Sequence, residues 1–142
     1  MILLDTNVLS ELMRREPDPV AMAWIDAQPE HQLWISTITR AEIELGIALL
    51  PEGRRKQGLE TGAGRMFAEF SGRCLAFDER AAVQYGRLVA ARIRIGRPIS
   101  VEDAQIAAIA LAGGLVLATR NVGDFAEIDR LSLVDPFAGG ST

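Results

Sequence analysis

The chain has 142 residues, with fifteen Lys plus Arg against nineteen Asp plus Glu and a formal net charge of −4. That length fits one domain with one core, and 49% apolar with 24% charged residues excludes a disordered or fibrous chain. The acidic balance argues against a general positive coat for nucleic acid and against docking on an anionic membrane.

Ile2-Leu3-Leu4 is a continuous apolar run, the pattern of a buried parallel strand. Asp5-Thr6-Asn7 are cap-type residues that open a helix through Val8, Leu9 and Leu12, which Pro17-Asp18-Pro19 breaks. Val20 to Ala27 predicts a second short helix, and Leu33-Trp34-Ile35 a strand ending at Ser36-Thr37. Between them His31, the only histidine, falls in the polar run Gln28 to Gln32 and is expected to face solvent without a catalytic role. Ile38 to Leu50 predicts a helix stopped by Pro51-Glu52-Gly53. The polar, Gly-rich stretch Arg54 to Gly64 reads as a loop or frayed helix before a return helix carrying Met66, Phe67 and Phe70.

Cys74 to Phe77 predicts a third strand, and Asp78-Glu79 cap a helix from Arg80 to about Ile95. Val101 to Ala112 is a nearly all-apolar helix, Leu115 to Ala118 a fourth strand and Leu131 to Val134 a fifth. Short apolar strands alternating with longer helices specify an α/β fold: one domain over 1–137, a parallel central sheet of about five strands flanked by helices. Residues 138–142 are expected to be a disordered tail. Cys74 is the lone cysteine, so disulfides and zinc clusters are excluded and a reducing, cytoplasmic setting is the default. No apolar run reaches the ~20 residues of a membrane span, and Asp5 interrupts the apolar start before any secretory pattern develops.

In an open parallel sheet, ligands sit beyond the carboxyl ends of the strands, where the strand order reverses. Asp5 ends the first strand, Glu42 lies in the first turn of the helix after the second, and Asp103 opens the helix before the fourth. Asn121 and Asp124 follow the fourth strand directly. Converging carboxylates would repel one another, and a divalent cation removes that cost; oxygen ligands without His or Cys favour Mg²⁺ or Mn²⁺. A structural alternative stays open for each residue. Thr39-x-x-Glu42 and Ser100-x-x-Asp103 fit capping boxes, and Asp5 fits a simple helix cap.

Leu3-Leu4-Asp5-Thr6-Asn7-Val8-Leu9-Ser10-Glu11 resembles the opening of PIN-domain ribonucleases, most of all the VapC-type toxins of bacterial toxin–antitoxin pairs and their FitB-like branch. The resemblance continues through Ile35-Ser36-Thr37 to Gly46, Phe77-Asp78, Glu102-Asp103-Ala104-Gln105 and Ala118-Thr119-Arg120-Asn121-Val122-Gly123-Asp124-Phe125. Val134-Asp135-Pro136-Phe137 looks like a variant of the family's Asn-Pro-Trp ending. Carried over, it implies that Asp5, Glu42 and Asp103 are the core acidic positions holding Mg²⁺ or Mn²⁺, with Asn121 or Asp124 completing them. Thr6, Ser36 and Thr119 would support them by hydrogen bonds in the same pocket.

The implied activity is metal-dependent endonucleolytic hydrolysis of RNA by a toxin held in check by a small antitoxin, in a homodimer. The alternative is a PIN-fold binding or scaffold module with little catalysis. RNA would have to be held by local patches, and the basic residues, all arginine except Lys56, cluster at Arg14-Arg15, Arg54-Arg55-Lys56 and Arg87, Arg92, Arg94 and Arg97. Arg14 and Arg120 are the first candidates for RNA contact. The segment Ile43 to Phe70, with Leu45, Leu49, Leu50, Met66 and Phe67, is expected to offer an antitoxin groove, a dimer face or part of the core.

Overall fold

The structure, a computed structural model, describes residues 1–139. In chain order its elements are β1 (Ile2–Leu4), α1 (Thr6–Leu12), α2 (Pro19–Asp26), β2 (Leu33–Ser36), α3 (Thr37–Ala48) and α4 (Arg54–Glu69). There follow β3 (Cys74–Leu75), α5 (Glu79–Arg94), α6 (Val101–Gly113), β4 (Val116–Ala118) and β5 (Leu133–Val134), with 3-10 turns at Glu30–Gln32 and Val122–Phe125. The strands form one sheet in the order β3-β2-β1-β4-β5, every neighbouring pair parallel.

An all-parallel sheet must be covered on both faces, and alternation along each strand supplies two cores. Leu3 and Leu117 pack with Ala81 and Leu88 of α5 and with Ile106 and Ile109 of α6. Their chain neighbours Leu4 and Ala118 pack on the other face with Val8, Leu9, Ile43, Ile47 and Phe67, from α1, α3 and α4. The strands therefore read as unbroken apolar runs because both faces are buried.

The strand order places a switch between β1 and β4. The chain leaves β1 toward β2 and β3, then returns on the other side through β4 and β5. Leu4 pairs with Ala118, and the Asp5 N–H extends the ladder to the Ala118 carbonyl at 2.9 Å. Asp5 and Thr119 thus emerge side by side in the crevice where such sheets take ligands.

Three expectations change. Residues 54–64, expected as a loop or frayed helix, are the regular first part of the sixteen-residue α4, despite Gly58, Gly62 and Gly64. Leu59, Ala63, Met66 and Phe67 recur at helical spacing and join the second core, and that burial overrides the glycines' poor propensity. The third strand ends at Leu75, because its partner β2 ends at Ser36, where the chain turns into α3. Phe77 instead packs edge-on to Tyr85, with centroids 5.8 Å apart. Finally, Ser36 rather than Thr39 caps α3, accepting from the Thr39 N–H at 3.1 Å. Glu42 is therefore the sixth residue of α3, in its second turn, and not the partner of a capping box.

His31 is exposed, as expected. Of the expected tail at 138–142, residues 140–142 lie outside the described residues. Among the described residues, no helix is long and apolar enough to cross a membrane.

Candidate active site

Asp5 lies at the centre. Its side chain is only 4% exposed and caps α1, taking the Thr6 N–H on Oδ1 at 2.8 Å. Its Oδ2 accepts the Thr119 hydroxyl at 2.8 Å and the Asn7 amide at 3.2 Å. Asn7 Oδ1 in turn accepts the Arg120 N–H at 3.1 Å, tying α1 to the segment after β4. Asp5 thus caps α1 with one oxygen, as the cap reading expects, while Thr119 and Asn7 hold the other. Burial pushes its pKa from the usual 3.8 to about 6; the Thr119 and Thr6 bonds pull it down, and the charges of Asp103 and Glu42 push it up further.

Glu42 reaches the same edge from α3. Its Oε1 accepts the Thr6 hydroxyl at 2.6 Å, and Thr6 Oγ1 lies 2.9 Å from Thr39 Oγ1. A hydroxyl has one proton, so Thr6, donating to Glu42, must accept from Thr39. Thr39 is fully buried, and Ser36, also fully buried, accepts the Thr39 N–H. Ser36 thus fixes the start of α3, from which the Thr39 side chain reaches Thr6. The contact of Thr39 with Thr6 is hidden in the sequence, because Thr39-x-x-Glu42 imitates a capping box.

Asp103 sits in the first turn of α6, whose cap Ser100 accepts the Asp103 N–H at 3.2 Å. Its carboxyl is pushed above 3.8 chiefly by burial, opposed by the bond to Ser100, with repulsion from Asp124, Glu42 and Glu102 adding to the rise. Asp124 therefore belongs to the acidic group. Asn121 is exposed, and its backbone N–H bonds Thr119 Oγ1 at 3.0 Å. Asp124 is placed by Arg92, which is buried and not a surface cation as its charge cluster suggested. From α5 its guanidinium donates to the carbonyls of Asp124 and Ala126, both at 3.0 Å, and of Arg97 at 2.7 Å.

Four acidic residues thus come to one sheet edge from β1, α3, α6 and the turn after β4. No basic side chain pairs with any of them within 4.0 Å among the described residues. Unbalanced like charges of this kind suit a divalent cation, and the donors are all oxygen. Among the described residues, no three acidic, His or Cys side chains stand close enough to ligate one ion together. The group is therefore an open cluster of carboxylates rather than a closed cage, and a cation held there would keep waters among its ligands.

Arg14 is 63% exposed and pairs with buried Glu11 at 3.2 Å. Arg120 stacks its guanidinium on Phe137, 3.8 Å from the ring centroid. The residues expected to offer a groove, a dimer face or part of the core divide among different surroundings. Phe67 is in the core, Leu45 and Leu49 are 60% and 75% exposed, and Met66 instead lines a cleft of about 660 Å³ with Met22 and Ile25 of α2.

Residues 2–131 match the PIN domain family. The VapC ribonuclease Y4jK of Sinorhizobium fredii is 41% identical over 138 residues, covering 96% of this chain and 98% of that one. Toxin FitB of Neisseria gonorrhoeae is 40% identical over 130 residues, covering 91% and 94%. The solved structure of FitAB bound to the IR36 DNA fragment superposes with a TM-score of 0.93 at 36% identity, over 99% of both chains. The chain belongs to the PIN-domain family, among its VapC- and FitB-like ribonuclease toxins.

Proposed function

We propose that this protein is the toxin of a toxin–antitoxin pair and hydrolyses RNA phosphodiester bonds endonucleolytically, with a hydrated Mg²⁺ or Mn²⁺ held by Asp5 and Asp103 and with Glu42 acting on the attacking water. The observation that carries the reading is Asp5: a buried carboxylate pushed up to about 6, beside like charges and without a cationic partner among the described residues. Folding alone does not favour such a charge. Asp124, repelling Asp103, completes the acidic set, and Asn121 stands at its rim.

A divalent cation bound there supplies polarisation of the scissile phosphate and a lowered pKa for water. The chain's own residues orient the rest. Thr6 and Thr119 fix both oxygens of Asp5. The Thr39–Thr6 relay fixes Oε1 of Glu42, and Oε2, with no protein partner among the described residues, takes a proton from the attacking water. Arg14 and Arg120, on either side of α1's start and end, are the arginines we assign to phosphate contact. The antitoxin of such a pair would lie in the apolar cleft between α2 and α4. Leu45 on α3 and Leu49 at its C-terminal cap, both exposed, are the pair a second copy would cover in a homodimer.

The test is cleavage of RNA by the purified, antitoxin-free protein in Mg²⁺ or Mn²⁺, compared with Asp103→Asn. Loss of at least about a hundredfold in kcat is expected for a group acting on the transition state. Binding of RNA that stays intact in both cations would replace the enzyme with a binding module.

A further inference from the structure

A cleft of about 1110 Å³ begins at Thr6 and Glu42 and runs between the end of α1 and the start of α4. Arg14 and Arg15 line one wall, and Arg54 and Arg55 another, against the acidic Glu16 and Glu42. Arg15, Arg54 and Arg55 are exposed and pair with no carboxylate among the described residues. Folding gives no reason for them. Arg54 and Arg55 fall in the first turn of α4, which has no acidic residue and no side-chain cap, so their charge opposes the helix dipole. Lys56 beside them is engaged elsewhere, with Glu52 at 2.6 Å.

Two helix-interior glycines, Gly46 of α3 and Gly58 of α4, also line the cleft. A Cβ at either would meet nothing within 4 Å, so packing does not require them. Each costs helix stability against alanine, and what they leave is open space. Met13, Leu50 and Leu59 supply an apolar floor.

We propose that this cleft is the track along which single-stranded RNA leaves the acidic edge, with Arg15, Arg54 and Arg55 holding successive backbone phosphates over a floor that accepts base faces. The proposal rests on the acidic edge being the cleavage site. It assigns the positive charge that a chain of net charge −4 lacks overall to one channel that starts at Glu42.

The experiment is fluorescence anisotropy of a labelled single-stranded RNA of about a dozen mixed nucleotides, in EDTA so that cleavage is off. The triple variant Arg15→Gln/Arg54→Gln/Arg55→Gln is compared with the charge-matched Arg87→Gln/Arg94→Gln/Arg130→Gln. The cleft triple should weaken binding at least about tenfold and flatten the log–log salt slope by about 2, the loss of three single-strand phosphate contacts. Gly46→Leu, which fills the cleft without changing charge, should also weaken binding while the melting temperature holds or rises. Selective loss in the cleft triple upholds the track even if the wild type proves unable to cleave, in which case the catalytic reading alone falls. Equal loss in both triples, or unchanged binding in the cleft triple and in Gly46→Leu, overturns the track and leaves the cleft to an acidic segment of a protein partner.

Discussion

The Thr119 hydroxyl donates to Asp5 Oδ2 at 2.8 Å, although the two residues are 114 positions apart. The register makes the contact: Leu4 lies opposite Ala118 in parallel strands, so the next residue of each emerges into the same crevice. A buried carboxylate is thereby oriented by a neutral donor rather than neutralised by a cation, and its charge remains available.

The pH dependence of stability follows from that arrangement. Asp5 titrates near 6 in the fold against 3.8 ordinarily, so the fold favours its protonated form. The stability this group contributes is full below about pH 3.8 and is lost as pH rises through about 6, up to about 3 kcal/mol in all. In the absence of divalent cations, Asp5→Asn should therefore gain on the wild type by up to that amount between pH 4 and pH 7.5, measured by urea denaturation. Parallel stability profiles for the two proteins would contradict it.

Thr6→Val removes the hydroxyl between Thr39 and Glu42 while keeping the side chain's shape. Because Glu42 is exposed, the fold should lose only about 1 kcal/mol, chiefly from the unpaired Thr39 hydroxyl. Turnover should fall by about ten- to a hundredfold with KM little changed, since the bond orients a group acting on the reacting water. Steady-state kinetics on one RNA substrate separates the two; a change confined to KM would place Thr6 in substrate binding instead.

Arg92 is a buried cation whose hydrogen bonds go to three carbonyls, one of them that of Asp124. Arg92→Leu leaves those carbonyls unpaired and should destabilise the protein by about 3 kcal/mol. Arg92→Lys keeps the charge but cannot span Arg97, Asp124 and Ala126 with one ammonium, so it should recover only part of the stability. Denaturant unfolding of both variants checks this; equal stability of Arg92→Leu and the wild type would show that the turn at Val122–Phe125 holds itself.

Arg120 over Phe137 gives a smaller prediction. Phe137→Leu frees the guanidinium and should cost about 0.5–1 kcal/mol in stability, measured by thermal melting. Weaker RNA binding by Arg120→Gln, but not by Phe137→Leu, would mark the charge rather than the stacking as the contact with substrate.

Much of this was legible from apolar runs alone, because a doubly covered sheet writes each strand as an unbroken stretch, as in Leu3-Leu4 and Leu117-Ala118. Asp5, Glu42, Asp103 and Asp124 were visible as acidic residues placed after or beside strands, and the parallel order brings them to one edge. What stayed hidden depends on contacts across the chain. α4 forms through burial of Leu59, Ala63 and Phe67 against its own local propensity. Thr39 looked like a cap because Ser36 and Thr39 are equally good caps in sequence, and only the start of α3 chooses between them. Arg92 looked like surface charge, since nothing local reveals that three carbonyls from 97 to 126 meet it. Asn7 carries no local sign that its amide reaches Thr119, at 3.3 Å and 112 positions away.

The central claim is that the acidic edge works through a divalent cation. Its most direct test is the RNA cleavage rate of the antitoxin-free protein, first in EDTA and then on titration with Mg²⁺ or Mn²⁺, beside Asp5→Asn. No cleavage is expected in EDTA, with saturable recovery with either cation in the wild type, and recovery lost or shifted to far higher cation concentration in Asp5→Asn. Equal cleavage with and without EDTA, or full activity of Asp5→Asn, would contradict it.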